Sequence, residues 1–326
     1  MLYSKTMSED VTIISADGRV ANVRPDAEDW DALLTAFIEA QDIRDSSKTT
    51  YRWAMGQYYG WLKKTGRSLK GLTAADVGQF KNWLLKSGHS PLTVGVYLAA
   101  VRQFYSWTET NLMYPNIAVG IHPPRNKKGF KKMHLTEDEA AELLEYEKGI
   151  SKRNYALVNL ILRTGLRTVE IVRADVGDIT FMRGRRVLKV WGKGCDTKDE
   201  IVILSDPAWL PLKEYLDTRK NLKPGMPLFV TDGKGHRGKR MSTRSVQLLC
   251  KSGMEAIGLE GHEYSAHSLR HTTAVSILKN GGDWKDVQRV LRHASPVTSQ
   301  IYTASVEEEI RLDRAPEQYL DNSFKR

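Results

Sequence analysis

The residues of this chain that could do chemistry lie in its second half, in four short clusters. The first is Thr164-Gly165-Leu166-Arg167-Thr168-Val169-Glu170. A glycine that breaks one helix and an arginine that opens the next can set a guanidinium in a cleft beside helix N-terminal amides, a place suited to an anion. The second is Gly192-Lys193-Gly194, which puts a mobile proton donor at the tip of a turn. The third is His267-Ser268-Leu269-Arg270-His271. On a helix, His267 shares a face with Arg270, three residues on, and with His271, four residues on. The fourth is His293, nine residues before Tyr302, with Ser295-Pro296 opening a short helix between them. Taken singly, each cluster also describes an ordinary basic helix or turn with satisfied histidines.

A metal centre is the first alternative. His262 and His267 are five residues apart, however, and the His-Glu-x-x-His zinc motif needs four. The two cysteines, Cys195 and Cys250, lie too far along the chain to complete a set. No metal ligand is assigned.

The elements that must position these clusters follow from periodicity and caps. Trp30, Leu33, Leu34, Phe37 and Ile38 recur with helical spacing, so an amphipathic helix starts near Ala27. A second helix is predicted over residues 47–64, with Tyr51, Met55, Tyr58, Tyr59 and Leu62 inward and Gly66 as its stop. Thr73 with Asp76 forms a capping box for a third, and Ser90 followed by Pro91 opens a fourth. Residues 27–112 therefore read as a compact four-helix unit holding five of the eight tryptophans, mostly as core. Before it, residues 11–23 alternate around Asp17-Gly18 as a small hairpin. After it, Pro123-Pro124 and the basic run 125–132 break regular helix. A second capping box, Thr136 with Glu139, opens the rest, with helices expected at about 136–147, 151–163, 168–174, 207–219, 242–257, 266–279, 283–292 and 296–302. The β-branched runs 186–191 and 200–204 read as a hairpin around the Lys193 turn. Domains are expected at 1–26 (extension), 27–124, 125–133 (linker) and 134–326. The fold class is mainly α with a small β-sheet or hairpin.

Composition narrows the class of function. The chain has 326 residues, 41% of them apolar, enough for packed cores. Two cysteines exclude a disulfide scaffold and suit a reducing compartment. The polar first ten residues lack a secretory apolar segment, and no apolar run is long enough to span a bilayer, so a cytoplasmic chain is expected. The net charge of +10 is unevenly placed. Residues 1–42 carry −6, residues 43–132 carry +12, and residues 133–326 carry +4. The positive field sits on the four-helix unit and the linker, as expected of a surface that meets a phosphate backbone.

Taken together, in this order, the four clusters resemble the tyrosine recombinase (phage integrase) family in its Xer-like two-domain form. The family orders its site as Arg, Lys, His-x-x-Arg, His or Trp, Tyr. Arg167, Lys193, His267, Arg270, His293 and Tyr302 match those positions, and the resemblance covers roughly residues 27–305. It implies a SAM-like core-binding domain followed by a catalytic domain. It also implies strand cleavage by Tyr302 as nucleophile, leaving a 3′-phosphotyrosine and a free 5′-hydroxyl. Arg167 and Arg270 would neutralise the phosphate oxygens, Lys193 would protonate the leaving oxygen, His267 would accept the phenol proton and His293 would donate to a phosphate oxygen. No cofactor is implied. The implied partner is double-stranded DNA carrying inverted-repeat sites, bound by a homotetramer through a Holliday junction, with a monomer when free. Lys48, Arg52, Arg102, Lys127, Lys128, Lys131, Lys132 and Arg244 are the candidate DNA contacts. A tail helix over 305–320, with Val306, Ile310 and Leu320 as anchors, would dock on a neighbouring protomer.

Three departures from the family pattern stand out. Leu291-Arg292-His293 puts a cation where the family usually has glycine. The hairpin turn is about two residues longer, and Glu200 stands where arginine is usual, which makes Lys198 a rival to Lys193. The first 26 residues are too short and too acidic to resemble an arm-site domain. Two other readings remain: a type IB topoisomerase-like relaxing enzyme, and a catalytically silent DNA-binding protein.

Overall fold

A computed structural model describes residues 11–14, 20–23, 30–125, 133–192, 197–233, 235, 237–293 and 306. The chain divides into two compact units, Met1–Gly129 and Phe130–Arg326.

The first unit opens with strands β1 (Val11–Ile14) and β2 (Val20–Val23), antiparallel with Val11 opposite Val23 and Ile14 opposite Val20. Four helices follow: α1 (Trp30–Glu39), α2 (Asp45–Lys64), α3 (Ala74–Lys86) and α4 (Pro91–Thr110). Their starts are chemical. Thr73 and Asp76 close a capping box on α3, and the Ser90 hydroxyl accepts the Thr93 amide at 3.1 Å, one turn into α4. Leu33, Phe37, Met55, Tyr58, Phe80, Leu84 and Phe104 are fully buried between the helices, each worth roughly 1.5–3 kcal/mol of stabilisation. Two phenols share this core: the Tyr58 and Tyr105 hydroxyls lie 2.8 Å apart. Desolvation is the main cause that raises both, Tyr58 to about 12, so both keep their protons. Trp30, Trp61 and Trp107 are core residues, as expected. Trp53 is the exception, 62% exposed, with its indole N–H donating to the Tyr97 hydroxyl.

The second unit holds α5 (Glu137–Ile150), α6 (Lys152–Thr164), α7 (Thr168–Arg173), β3 (Ile179–Met182), β4 (Arg185–Val190), β5 (Glu200–Ile203), α8 (Asp206–Asp217), α9 (Thr243–Ala256), α10 (Ala266–Lys279) and α11 (Trp284–Leu291). The strands form an antiparallel sheet in the order β3-β4-β5. The expected hairpin is β4 and β5; β3 is an addition to it. It joins β4 through Arg183-Gly184, a two-residue turn in which both residues have positive φ, 48° and 76°. Such a turn usually carries Asn-Gly or Asp-Gly, so its arginine hid it.

Helix α10 runs through the middle of this unit, and ten of its fourteen residues are buried. Ser268, Arg270, Thr272 and Thr273 are tolerated there because each is bonded to backbone. Thr273 donates to the Leu162 carbonyl, and Thr272 accepts the Leu135 amide, both at 2.9 Å. Pro211 inside α8 has no N–H to give the Pro207 carbonyl, and the Asn159 side chain on α6 supplies that bond at 2.8 Å. Val306 is buried with Ala274, Val275, Leu278, Val287 and Leu291 of its own chain. The helices expected at 296–302 and 305–320 otherwise lie outside the described residues, as do Ile310 and Leu320. No helix among the described residues is long and apolar enough to cross a membrane.

Candidate active site

The site is built where the ends of α6 and α11 meet. Gly165 ends α6 in the left-handed region (φ 61°) and its N–H bonds the Ile161 carbonyl. A Cβ at this glycine would stand 2.2 Å from the Leu291 side chain, so only glycine lets the two turns approach this closely. At the other end, Arg292 caps α11 with φ 54° and ψ 53°. A non-glycine residue there costs about 1 kcal/mol of backbone strain. The chain then reaches His293, whose N–H bonds the Gln288 carbonyl.

Both predicted arginines reach this junction. Arg167 caps α7, and its backbone N–H and Nη1 both donate to the Glu170 carboxylate, at 2.7 and 2.5 Å. Its Nη2 donates to the carbonyl of Arg292 at 2.9 Å and to that of Leu291 at 3.4 Å. Arg270, 2% exposed, comes from α10 and donates to the carbonyls of Gly165 and Leu291. Two guanidiniums from separate helices thus lean on the same turn. With His267 and the exposed Arg244 they line one cleft of about 740 Å³. His271 points elsewhere: it is buried, edge-on to His134 with ring centroids 5.6 Å apart. Among the described residues no group of three or more His, Cys, Asp or Glu could hold a metal ion.

His293 lies half-buried beside these cations. Desolvation first, then the charges of Arg270, Arg167, His267 and Arg292, push its pKa from 6.5 down to about 4. Its imidazole is therefore neutral near pH 7 and carries one N–H donor and one acceptor.

Lys198 is committed elsewhere. Its ammonium lies 2.6 Å from Asp178 and 3.1 Å from Asp175, and Asp175 is also paired with Arg240 at 2.5 Å. Partial burial pulls the Lys198 pKa down, but the hydrogen bonds it donates to the two carboxylates, with their charges, more than reverse it, and the net direction is up. The proton is held at the base of the sheet. Lys193 and Tyr302 lie outside the described residues, as do Lys127, Lys128, Lys131 and Lys132. Of the other candidate DNA contacts, Arg52 and Arg102 are exposed and Lys48 is half-buried, all in the first unit.

Three residues of the site were not picked out as functional from sequence: Glu170, Glu200 and Arg292. Glu170, 3% exposed, accepts from Arg167 and, at 2.7 Å, from Arg292. Arg292 Nε lies 3.4 Å from Glu200 at the start of β5. The available signal was the departure of positions 200 and 292 from the family pattern.

Comparison with known proteins bears on the family and the fold. The model of the phage integrase family matches residues 133–309, and that of the phage integrase N-terminal SAM-like domain matches residues 31–110. The tyrosine recombinase XerC of Corynebacterium glutamicum is 30% identical over 278 residues, covering 83% of this chain and 86% of that protein. XerC of Actinobacillus pleuropneumoniae is 34% identical over 215 residues, covering 65% and 67%. Among solved structures, the XerH recombinase bound to palindromic difH substrate in a post-cleavage complex superposes with a TM-score of 0.68. It is 23% identical, covering 89% of this chain and 84% of that one. A lambda integrase fragment (75-356), a dimer bound to a COC′ core site, gives 0.64 at 16% identity, covering 82% and 96%. At these identities the two structures speak for the fold.

Proposed function

Because this chain belongs to the phage integrase family of tyrosine recombinases, we propose that it is a site-specific DNA recombinase that cuts and rejoins duplex DNA through a 3′-phosphotyrosine on Tyr302. The observation that carries this reading is the convergence of Arg167 and Arg270 on the turn at Leu291-Arg292, next to His293. Two fixed guanidiniums can neutralise the non-bridging oxygens of one phosphate as its charge rises in the pentacoordinate transition state. The Tyr302 oxygen attacks phosphorus and the bond to the 5′-oxygen breaks. The phenol proton passes to His267, directly or through water, and Lys193 protonates the departing oxygen. Neutral His293 donates its N–H to a phosphate oxygen. The phosphodiester's energy stays in the covalent link, so rejoining is the reverse step and needs no nucleotide.

In this reading residues 27–124 form the core-binding domain, 125–133 a basic linker along the phosphates, and 134–326 the catalytic domain. The partner is duplex DNA with inverted-repeat sites, held by a homotetramer that passes through a Holliday junction, and the chain works in the cytoplasm. Lys48, Arg52 and Arg102 contact DNA from the first domain and Arg244 from the rim of the cleft. The product is integration or excision of a mobile element, or resolution of DNA dimers. The test is a nicked suicide substrate carrying the cognate site: the chain should become covalently attached to the 3′ end of the cut strand. A chain that binds the site and never attaches would overturn the reading in favour of a DNA-binding protein.

The Lys198 ion pairs support Lys193 as the general acid. Lys193→Ala should slow cleavage about 10²-fold or more, the usual worth of a general acid. Lys198→Ala should slow it far less while lowering the melting temperature. A 5′-phosphorothiolate substrate, whose sulfur leaves without a proton, should rescue Lys193→Ala; rescue of Lys198→Ala instead would reverse the assignment.

The depressed pKa of His293 sets a pH window. The unfolded chain protonates this histidine near 6.5 and the folded chain only near 4. Between these values the unfolded state binds more protons, so stability falls as pH drops from about 6.5 toward 4. Urea midpoints measured at pH 7 and pH 4.5 should fall further for the wild type than for His293→Gln. Equal falls would show that His293 is not held neutral.

A further inference from the structure

The two sequence departures at positions 200 and 292 meet in space. Arg292 sits in a left-handed conformation that glycine would adopt without strain, and its side chain is 7% exposed. Arginine is seldom buried unless it is paired, and here the pairs are explicit. Nη2 lies 2.7 Å from Glu170, Nη1 donates to the Val290 carbonyl at 2.7 Å, and Nε lies 3.4 Å from Glu200 Oε2, an ion pair without a hydrogen bond. Glu170 in turn holds Arg167, and Arg167 bonds the carbonyl of Arg292. The contacts close a ring: Arg292 side chain, Glu170, Arg167 side chain, Arg292 backbone. Glu200 extends the ring to β5, the strand that leaves the Lys193 turn.

We propose that Arg292 is a positioning residue for the cleavage reaction, and that positions 200 and 292 form one exchangeable pair in which a guanidinium can serve from either the strand or the turn. Arg292 orders Arg167 through their shared carboxylate, and it ties the strand that follows the lysine turn to the turn that carries His293. Removing the side chain while easing the backbone, as Arg292→Gly does, should therefore leave the fold intact and loosen Arg167. Because the side chains at 200 and 292 meet, an arginine extended from position 200 can enter the space that Arg292 vacates.

The role in cleavage rests on the recombinase reading; the ordering of Arg167 does not. Two measurements on the full chain separate them. In DNA-free protein, ¹⁵N spectra of the arginine side chains should show slowed guanidinium rotation for Arg167 in the wild type and rotational averaging in Arg292→Gly. An unchanged Arg167 signal overturns the proposal whether or not the chain cuts DNA. In single-turnover cleavage of the nicked substrate, Arg292→Gly should be slower by about 10²-fold, the cost of a misplaced catalytic group, with DNA affinity unchanged. Arg292→Gly combined with Glu200→Arg should recover at least about a tenfold part of that loss. A double variant as slow as the single one overturns the exchange. A wild type that forms no adduct defeats the recombinase reading, and the Arg167 spectra then decide the proposal. Should Arg292→Gly fail to fold, Arg292→Lys, which keeps one charge but cannot span both carboxylates, and Glu200→Gln read the same Arg167 signal, with averaging expected in both and an unchanged signal overturning the proposal.

Discussion

Tyr302→Phe should abolish the covalent protein–DNA adduct while leaving affinity for the site unchanged. The substitution removes one oxygen and keeps the ring. No other group then stands in for the attacking oxygen, because a phenyl ring cannot form the bond to phosphorus. Losing the nucleophile of an enzyme that works through a covalent intermediate costs on the order of 10⁶-fold, far below detection in a gel assay for adduct. An ordinary phenol with a pKa of about 10 is only about 0.1% ionised at pH 7, so in the proposed reaction a base or a positive charge must help it attack. An adduct formed by Tyr302→Phe would sink the assignment of the nucleophile. Loss of binding together with loss of adduct would show that the phenol acts in recognition.

Arg270→Lys should be nearly as damaging, although it preserves the charge. The Arg270 guanidinium is 2% exposed and donates at once to Gly165 on one turn and to Leu291 on the other. A planar fork of five N–H groups holds both bonds in one fixed geometry. An ammonium is a compact, strongly hydrated point charge with a different reach. It would leave at least one of the two buried carbonyls without its donor, at a cost of about 1–3 kcal/mol, and would grip one phosphate oxygen less well. Single-turnover cleavage should drop by about 10²–10³-fold, the range for loss of one preorganised charge-stabilising donor. The melting temperature should fall as well, with little change in DNA affinity. A lysine variant within about threefold of the wild type would show that charge alone, without the fork, suffices.

Much of this was legible before any coordinates because it is local. Capping boxes at Thr73 and Thr136, the proline after Ser90 and the apolar spacing of α1 and α2 depend on neighbours a turn away, and the helices begin within one to three residues of where those signals put them. What stayed hidden was decided across the chain. Strand β3 was missed because its turn uses Arg183 where Asn or Asp is usual. Lys198 could not be set apart from Lys193 by spacing; Asp175 and Asp178, some twenty residues earlier, tie it down. The identities of Arg292 and Glu200 were noticed as oddities, and only the fold shows that the two oddities touch. Trp53 lies off the stripe of Met55, Tyr58 and Leu62 and is exposed, although its residue type matches that of its buried counterparts.

The glycine contact between α6 and α11 has a consequence for how this protein would fail. Arg167 and Arg270 both bond the carbonyl of Leu291, and Arg270 also bonds that of Gly165, so the two turns share their fastenings. A close-packed junction of this kind has few intermediate arrangements between seated and parted. Parting it would release both guanidiniums together. Under mild urea the population should therefore divide into fully competent and fully idle molecules. In a single-turnover experiment the amplitude of the cleavage phase would shrink while its rate constant held, a signature that a gradually softened active site would not give.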